Sequence, residues 1–164
     1  MINFIQYHNK TSNIIIDHND GILEEMIAHG NSNLQDEVCG IGLGHKNNNI
    51  WNLTKFIPLD NVVKDENFAE IKSQLNANDL TDYIPHPAQW LNAISQTTHF
   101  AKDAEFDLVV LFHTHPHNHP RPSMTDIRGA GYEAVYIIYS PCYNEISYNY
   151  NNGVTRGFEN AGYR

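Results

Sequence analysis

Cysteine is nearly missing from this 164-residue chain, with only Cys39 and Cys142. So few thiols cannot build a disulfide framework, and with no Cys-x-x-Cys pair there is no thiolate zinc site to expect. Basic residues are scarce too: Lys+Arg 10 stand against Asp+Glu 19, for a net charge of -9. An acidic surface gains nothing from releasing phosphate counterions, which argues against a nucleic-acid partner. It tolerates a basic or neutral protein better. No apolar run approaches the length of a membrane helix, so no membrane association is expected. The opening Met1-Ile2-Asn3-Phe4-Ile5-Gln6-Tyr7 has neither a basic flank nor a long apolar core. No signal peptide is therefore expected, and a reducing, cytoplasmic setting is. Internal repeats are absent as well. What is present is ordinary for a globular protein, 41% hydrophobic and 18% charged, and the length suits one domain over residues 1–164.

Periodicity predicts a mixed α+β architecture. Short strands are expected at 2–7 and 13–16, then a helix from about Leu23 to His29 capped by Asp20 and stopped by Gly30. Glu37–Gly44 reads as a glycine-punctuated strand, His45–Asn49 as a hairpin loop and Ile50–Ile57 as the returning strand. Residues 58–86 are polar and irregular, with room for one short helix and no obvious anchor. Pro87 suits the first turn of a helix running to about residue 100, with Trp90, Leu91, Ile94 and Thr98 on one face. Asp107–Phe112 is a continuous apolar run, β-branched and aromatic, too short for a helix and right for a buried strand. A short helix from Met124 to about Tyr132 and closing strands at Val135–Tyr139, Glu145–Tyr150 and Val154–Phe158 complete the reading.

The chemistry gathers after the strand at 107–112. If that strand continues through residue 115, His113 and His115 point to the same face. Pro116 then takes the chain out of the sheet. Two imidazoles and the carboxylate of Asp126 are the kind and number of ligands that a catalytic zinc keeps, with a fourth position open. Ser123-Met124-Thr125-Asp126 also has a purely structural reading as a helix start, close to a capping box. Both readings are compatible, with Ser123 capping while Asp126 ligates.

His113-Thr114-His115-Pro116, Pro122-Ser123 and Asp126 resemble the JAMM motif of the MPN-plus metallopeptidases. That motif runs histidine, any residue, histidine, seven residues, serine, two residues, aspartate, and this sequence meets every fixed position. The family also has a glutamate entering a glycine-rich strand, and Glu37-Val38-Cys39-Gly40-Ile41-Gly42-Leu43-Gly44 is similar to that element. Asn61 and the helix at 87–100 fall where the family has its post-hairpin segment and second helix.

The resemblance implies a cytidine-deaminase-like MPN domain, a curved mixed β-sheet flanked by helices. It implies a zinc isopeptidase or peptidase in which His113, His115 and Asp126 hold Zn2+. Glu37 would deprotonate the water, and Ser123 would donate to the oxyanion. Substrates implied are the glycine tails of ubiquitin-like or sulfur-carrier proteins, an extended tail adding beside a sheet edge. Only residues 127–134 separate Asp126 from the next strand, so the insertion typical of ubiquitin-chain specialists is missing and a compact prokaryotic or phage-type member is implied. Other classes stay open: a non-catalytic scaffold domain, or a metal-dependent hydrolase of another peptide, from cell wall or phage structure. The sequence does not speak to oligomeric state.

Remaining residues carry plainer expectations. Cys39 has no basic neighbour to activate it and is expected buried rather than nucleophilic. His117 and His119 extend the alternating histidine series, but Pro116 and Pro120 break the strand that would align them, so they are expected in a solvent-facing loop near the cleft. Trp90, Tyr136 and Tyr139 read as core aromatics, and Tyr143, Tyr148 and Tyr150 as decoration of an exposed strand face.

Overall fold

The computed structural model describes residues 1–79 and 81–164. Its strands are β1 (Asn3–Phe4), β2 (Thr11–His18), β3 (Cys39–Asn47), β4 (Ile50–Leu59), β5 (Asp107–Thr114), β6 (Glu133–Ser140), β7 (Glu145–Asn152) and β8 (Glu159–Tyr163). The helices are α1 (Asp20–Asn31), α2 (Ala69–Leu75), α3 (Pro87–Ile94) and α4 (Met124–Gly129). All strands lie in one mixed sheet of order β1-β7-β6-β5-β3-β4-β2-β8, and β8 also pairs with β7, so the sheet curls round to meet itself. The α+β class and the curved mixed sheet with flanking helices are as expected.

Alternation along the strands sorts side chains into two cores. Val110, Phe112, Ile137 and Tyr139 pack with Ile22 and Met26 of α1 on one side. Cys39, Ile41, Leu43, Leu111 and Tyr136 pack with Ala93 and Ile94 of α3 on the other. Met26 is completely buried; a fully buried side chain of this kind contributes roughly 1.5–3 kcal/mol relative to exposure. The glycines of β3 alternate with those core residues because the α1 side of the strand has no room. A Cβ on Gly42 would lie 2.6 Å from Leu53 Cδ1 and 2.7 Å from Val110 Cβ.

Several boundaries differ from the sequence expectation, each for a local reason. Asn19, not Asp20, caps α1, its side chain accepting from Ile22 N at 2.9 Å. Gly30 does not stop that helix but lets it dock, since a Cβ there would sit 2.6 Å from the Tyr139 ring. Helix α3 ends at Ile94 rather than near residue 100, and Leu91 faces solvent instead of the core. Residues 154–158 form a turn, not a strand: Asn152 Oδ1 accepts from the N–H groups of Val154 and Thr155, and Gly157 has φ 123°. The closing strand is Glu159–Tyr163 instead. Tyr148 is buried and Tyr150 packs against the core; of the three tyrosines expected on an exposed face, Tyr143 alone is well exposed.

The 58–86 stretch does have an anchor. Val62, Val63 and Ile84 form a small core of their own with Phe68, Ile71 and Ala77 against it. Asn61 ties this segment down, its Oδ1 accepting from Val63 N and Ile84 N at 3.0 Å each. Among the described residues, no helix is long and apolar enough to cross a membrane.

Candidate metal centre

Pairing register builds the site. In the antiparallel β3–β5 ladder Cys39 lies opposite His113. Continuing that register by two residues sets Glu37 opposite His115, and parity puts all four side chains on one face. Thr114, pointing the other way, locks the approach: its Oγ1 accepts from Val38 N at 2.9 Å while its own N–H donates to Val38 O at 3.0 Å. Although β5 ends at Thr114, His115 N–H still donates to Tyr139 O at 2.9 Å, so the residue keeps the strand's direction. Asn61 Nδ2 donates to Glu37 O at 2.9 Å and fixes the glutamate's backbone.

Asp126 arrives from the opposite side on α4. A complete capping box sets it: Asp126 N donates to Ser123 Oγ at 3.1 Å, and Ser123 N donates to Asp126 Oδ2 at 2.8 Å. Its other contacts are the imidazoles. His113 Nε2 is 3.1 Å from Asp126 Oδ1, His115 Nε2 is 3.2 Å from Asp126 Oδ2, and the two Nε2 atoms are 3.2 Å apart. Glu37 Oε1 is 3.8 Å from His115 Nε2. One ligand atom each from Glu37, His113 and His115 lies within 4.8 Å of the others; Asp126 joins this group through the imidazoles. The centre is buried, with His113 1% and Glu37 4% exposed, and the Tyr83 ring stacks on His113 at 4.9 Å.

This donor set fits a zinc ion. His115 Nδ1 lies 3.0 Å from the His119 carbonyl oxygen, which only accepts, so a neutral His115 carries its proton on Nδ1 and turns a lone pair inward. That lone pair faces the Asp126 and Glu37 carboxylates, an assembly of acceptors that a cation completes. The imidazole pair has the matching spacing, 3.2 Å between the two Nε2 atoms, since tetrahedral bonds of about 2.0 Å separate donors by about 3.3 Å. Glu37 Oε2 and His113 Nδ1 are buried without a hydrogen-bond partner among the described residues. Burial first, then the Asp126 and Asp82 charges, push the Glu37 carboxyl up to about 9. Burial alone would raise Asp126 as well, but the charge and hydrogen bonds that His113 and His115 offer when protonated outweigh it and hold that carboxyl well below the usual range. A dication among these groups would favour the ionised form of both carboxyls.

The neighbours behave simply. Burial pushes the Cys39 thiol up to about 12, with the Glu37 and Asp60 charges adding, which rules it out as a thiolate nucleophile near neutral pH. His117 and His119 are exposed in the loop and stay outside the cluster; His117 Nε2 lies 2.9 Å from Gln35 O, and His119 Nδ1 lies 2.7 Å from Glu145 Oε2. Sequence reasoning missed Tyr83 and the locking role of Thr114. A lone aromatic in a polar stretch gives no signal of what it will stack on, whereas Thr114, inside the His-Thr-His run, could have been read as the inward-facing residue of the strand.

A sheet curled round α1, with histidines at the end of a central strand and a capped aspartate opposite, defines a JAB/MPN-type domain. The sequence matches the family described as prokaryotic homologs of the JAB domain over residues 19–151, and the chain belongs to that family. No curated protein matches it significantly. Two solution structures share the fold. One, of a protein from Desulfitobacterium hafniense, superposes with a TM-score of 0.64 at 22% identity, covering 91% of this chain and 92% of the other. The other, from Salinibacter ruber, gives 0.57 at 17% identity, covering 88% and 87%.

Proposed function

We propose that this chain is a zinc-dependent peptidase or isopeptidase that hydrolyses the amide after the C-terminal glycine of a ubiquitin-like or sulfur-carrier protein. The observation that carries the reading is the convergence of His113, His115 and Asp126 at 3.1–3.2 Å, with a buried Glu37 oxygen beside them that has no hydrogen-bond partner among the described residues. Bound to those three residues, zinc supplies Lewis acidity, lowering the pKa of water toward ~7 and polarising a carbonyl.

The chain's own groups do the rest. Glu37 accepts the proton of the attacking water and delivers it to the leaving nitrogen, acting as base and then acid. The C–O bond forms, the C–N bond breaks, and the amine leaves with that proton. Ser123 Oγ already accepts Asp126 N–H, which leaves its hydroxyl proton for the carbonyl oxygen as charge grows there. Both sides of β5 are occupied, by β3 and β6, so the tail has no strand edge to join beside the histidines. A trough of about 350 Å³ between Thr81 and the loop of His115, Pro116, His117 and Asn118, with Glu37 and Ser123 in its lining, is the seat that suits it.

Zinc-reconstituted protein is expected to hold about one ion per chain and to cleave a ubiquitin-like fusion after its terminal glycine. Glu37→Gln is expected to retain the metal and lose at least about 100-fold in kcat. Full activity in that variant would reject the mechanism. Zinc bound tightly with no fusion or peptide cut would instead favour an interaction domain.

A further inference from the structure

A second recess meets the candidate metal centre, distinct from the trough: among the described residues the two share Glu37 alone. It encloses about 310 Å³ and reaches His113 and Asp126 at one end. Its walls are hydrophobic and aromatic, from Leu59, Leu111, Trp90, Tyr132 and Tyr136. Trp90 and Tyr132 meet edge to face at 5.7 Å, which holds that wall in shape. Leu75, 64% exposed, also lines the cavity and puts apolar surface at its mouth. At about 30 Å³ per water the space equals on the order of ten waters, room for one large side chain and not for a folded protein. An apolar chamber opening onto a polar reacting centre is the form a side-chain pocket takes.

We infer that this chamber seats a large apolar side chain on the residue whose amine is released. The inference rests on the peptidase reading above. There a glycine supplies the carbonyl and has no side chain to offer, so the occupant comes from the other side of the cut. The bond broken is then an ordinary α-peptide bond between glycine and a residue such as phenylalanine or leucine. Water adds across it, leaving a carboxylate on the glycine and a free α-amine on the apolar residue. A lysine isopeptide does not suit this chamber, because the protein attached to that lysine would have to follow the stem inward.

The test uses zinc-loaded full chain and internally quenched peptides containing Gly-Gly-X, with X phenylalanine, leucine, alanine or aspartate, beside an isopeptide of equal length. Phenylalanine and leucine are expected to exceed alanine and aspartate by at least about tenfold in kcat/KM. Leu75→Glu, at the exposed mouth, and Trp90→Ala, in the wall, are expected to erase most of that preference. Equal rates for every X, or preference for the isopeptide, would overturn the inference while leaving the peptidase reading intact.

If nothing is cut, the chamber is still tested by binding. In metal-free Glu37→Gln protein, N-acetyl-phenylalanine amide is expected to shift the Trp90 indole N–H resonance, and the alanine analogue is not. Trp51, whose indole donates to Asn48 O in the other core, serves as the fixed reference. Equal shifts with both amides, or none, would overturn the inference.

Discussion

Zinc should stabilise this fold by an amount that can be worked out beforehand. The donor atoms of His113, His115 and Asp126 already stand 3.1–3.2 Å apart, held by the β3–β5 register and by the α4 capping box. Little binding energy is therefore spent on ordering ligands. At a free zinc concentration of a thousand Kd, linkage gives about 4.1 kcal/mol. For a chain of this size each kcal/mol moves Tm by about 2–4 °C, so a rise of about 8–16 °C is expected. His113→Ala removes one of the three proposed ligands; a hundredfold loss of affinity would take away about 2.7 kcal/mol and cut the rise by about 5–11 °C. The assay is thermal unfolding with chelator, zinc or magnesium, comparing the metal-induced shift and not the absolute Tm, because the variant also leaves a cavity. Magnesium should do little, since two imidazoles select zinc over a hard oxygen-seeking ion. A wild-type shift under about 2 °C, or an equal shift in His113→Ala, would refute the reasoning.

Two further outcomes follow from single contacts. Thr114→Val keeps the shape of a fully buried side chain but strands the Val38 N–H; urea unfolding should show a loss of about 1–3 kcal/mol, and an unchanged midpoint would mean that this bond does not hold Glu37's strand in place. Ser123→Ala should cost about 1 kcal/mol through the lost cap and about 10²–10³ in kcat through the lost donor, with Ser123→Thr restoring both; a stability loss without a rate loss would confine Ser123 to capping.

Much of the site was legible because its determinants are local. His113 and His115 share a face through the strand period, and Ser123 and Asp126 are set by a four-residue cap that is itself a sequence pattern. Glu37 is different in kind. It stands opposite His115 only because β3 and β5 pair in one register, which no neighbouring residue encodes, so its place came from resemblance to a family rather than from spacing. Failures in the fold reading share that origin. Glu159–Tyr163, with its asparagine and glycine, looks unlike a strand, and it becomes one because β2 and β7 offer edges and Asn160 exchanges hydrogen bonds with His8. Val154, which looks like a strand residue, is 89% exposed on a turn. The chamber beside the candidate metal centre was invisible for the same reason: Leu59, Trp90, Leu111 and Tyr136 are scattered along the chain, and each alone reads as core.

The curl of the sheet is not equally strong all the way round. Where β7 meets β8 the register holds at Asn149↔Asn160 and Tyr150↔Glu159 alone, while β6 and β7 run paired from Glu133↔Asn152 to Ser140↔Glu145. The thin join is thus a seam where local opening is expected to cost least. Strand β5 lies well inside the ribbon, with β6 between it and β7 on one side and β3, β4 and β2 between it and β8 on the other. Opening of that seam would leave the strand carrying the histidine pair paired on both sides.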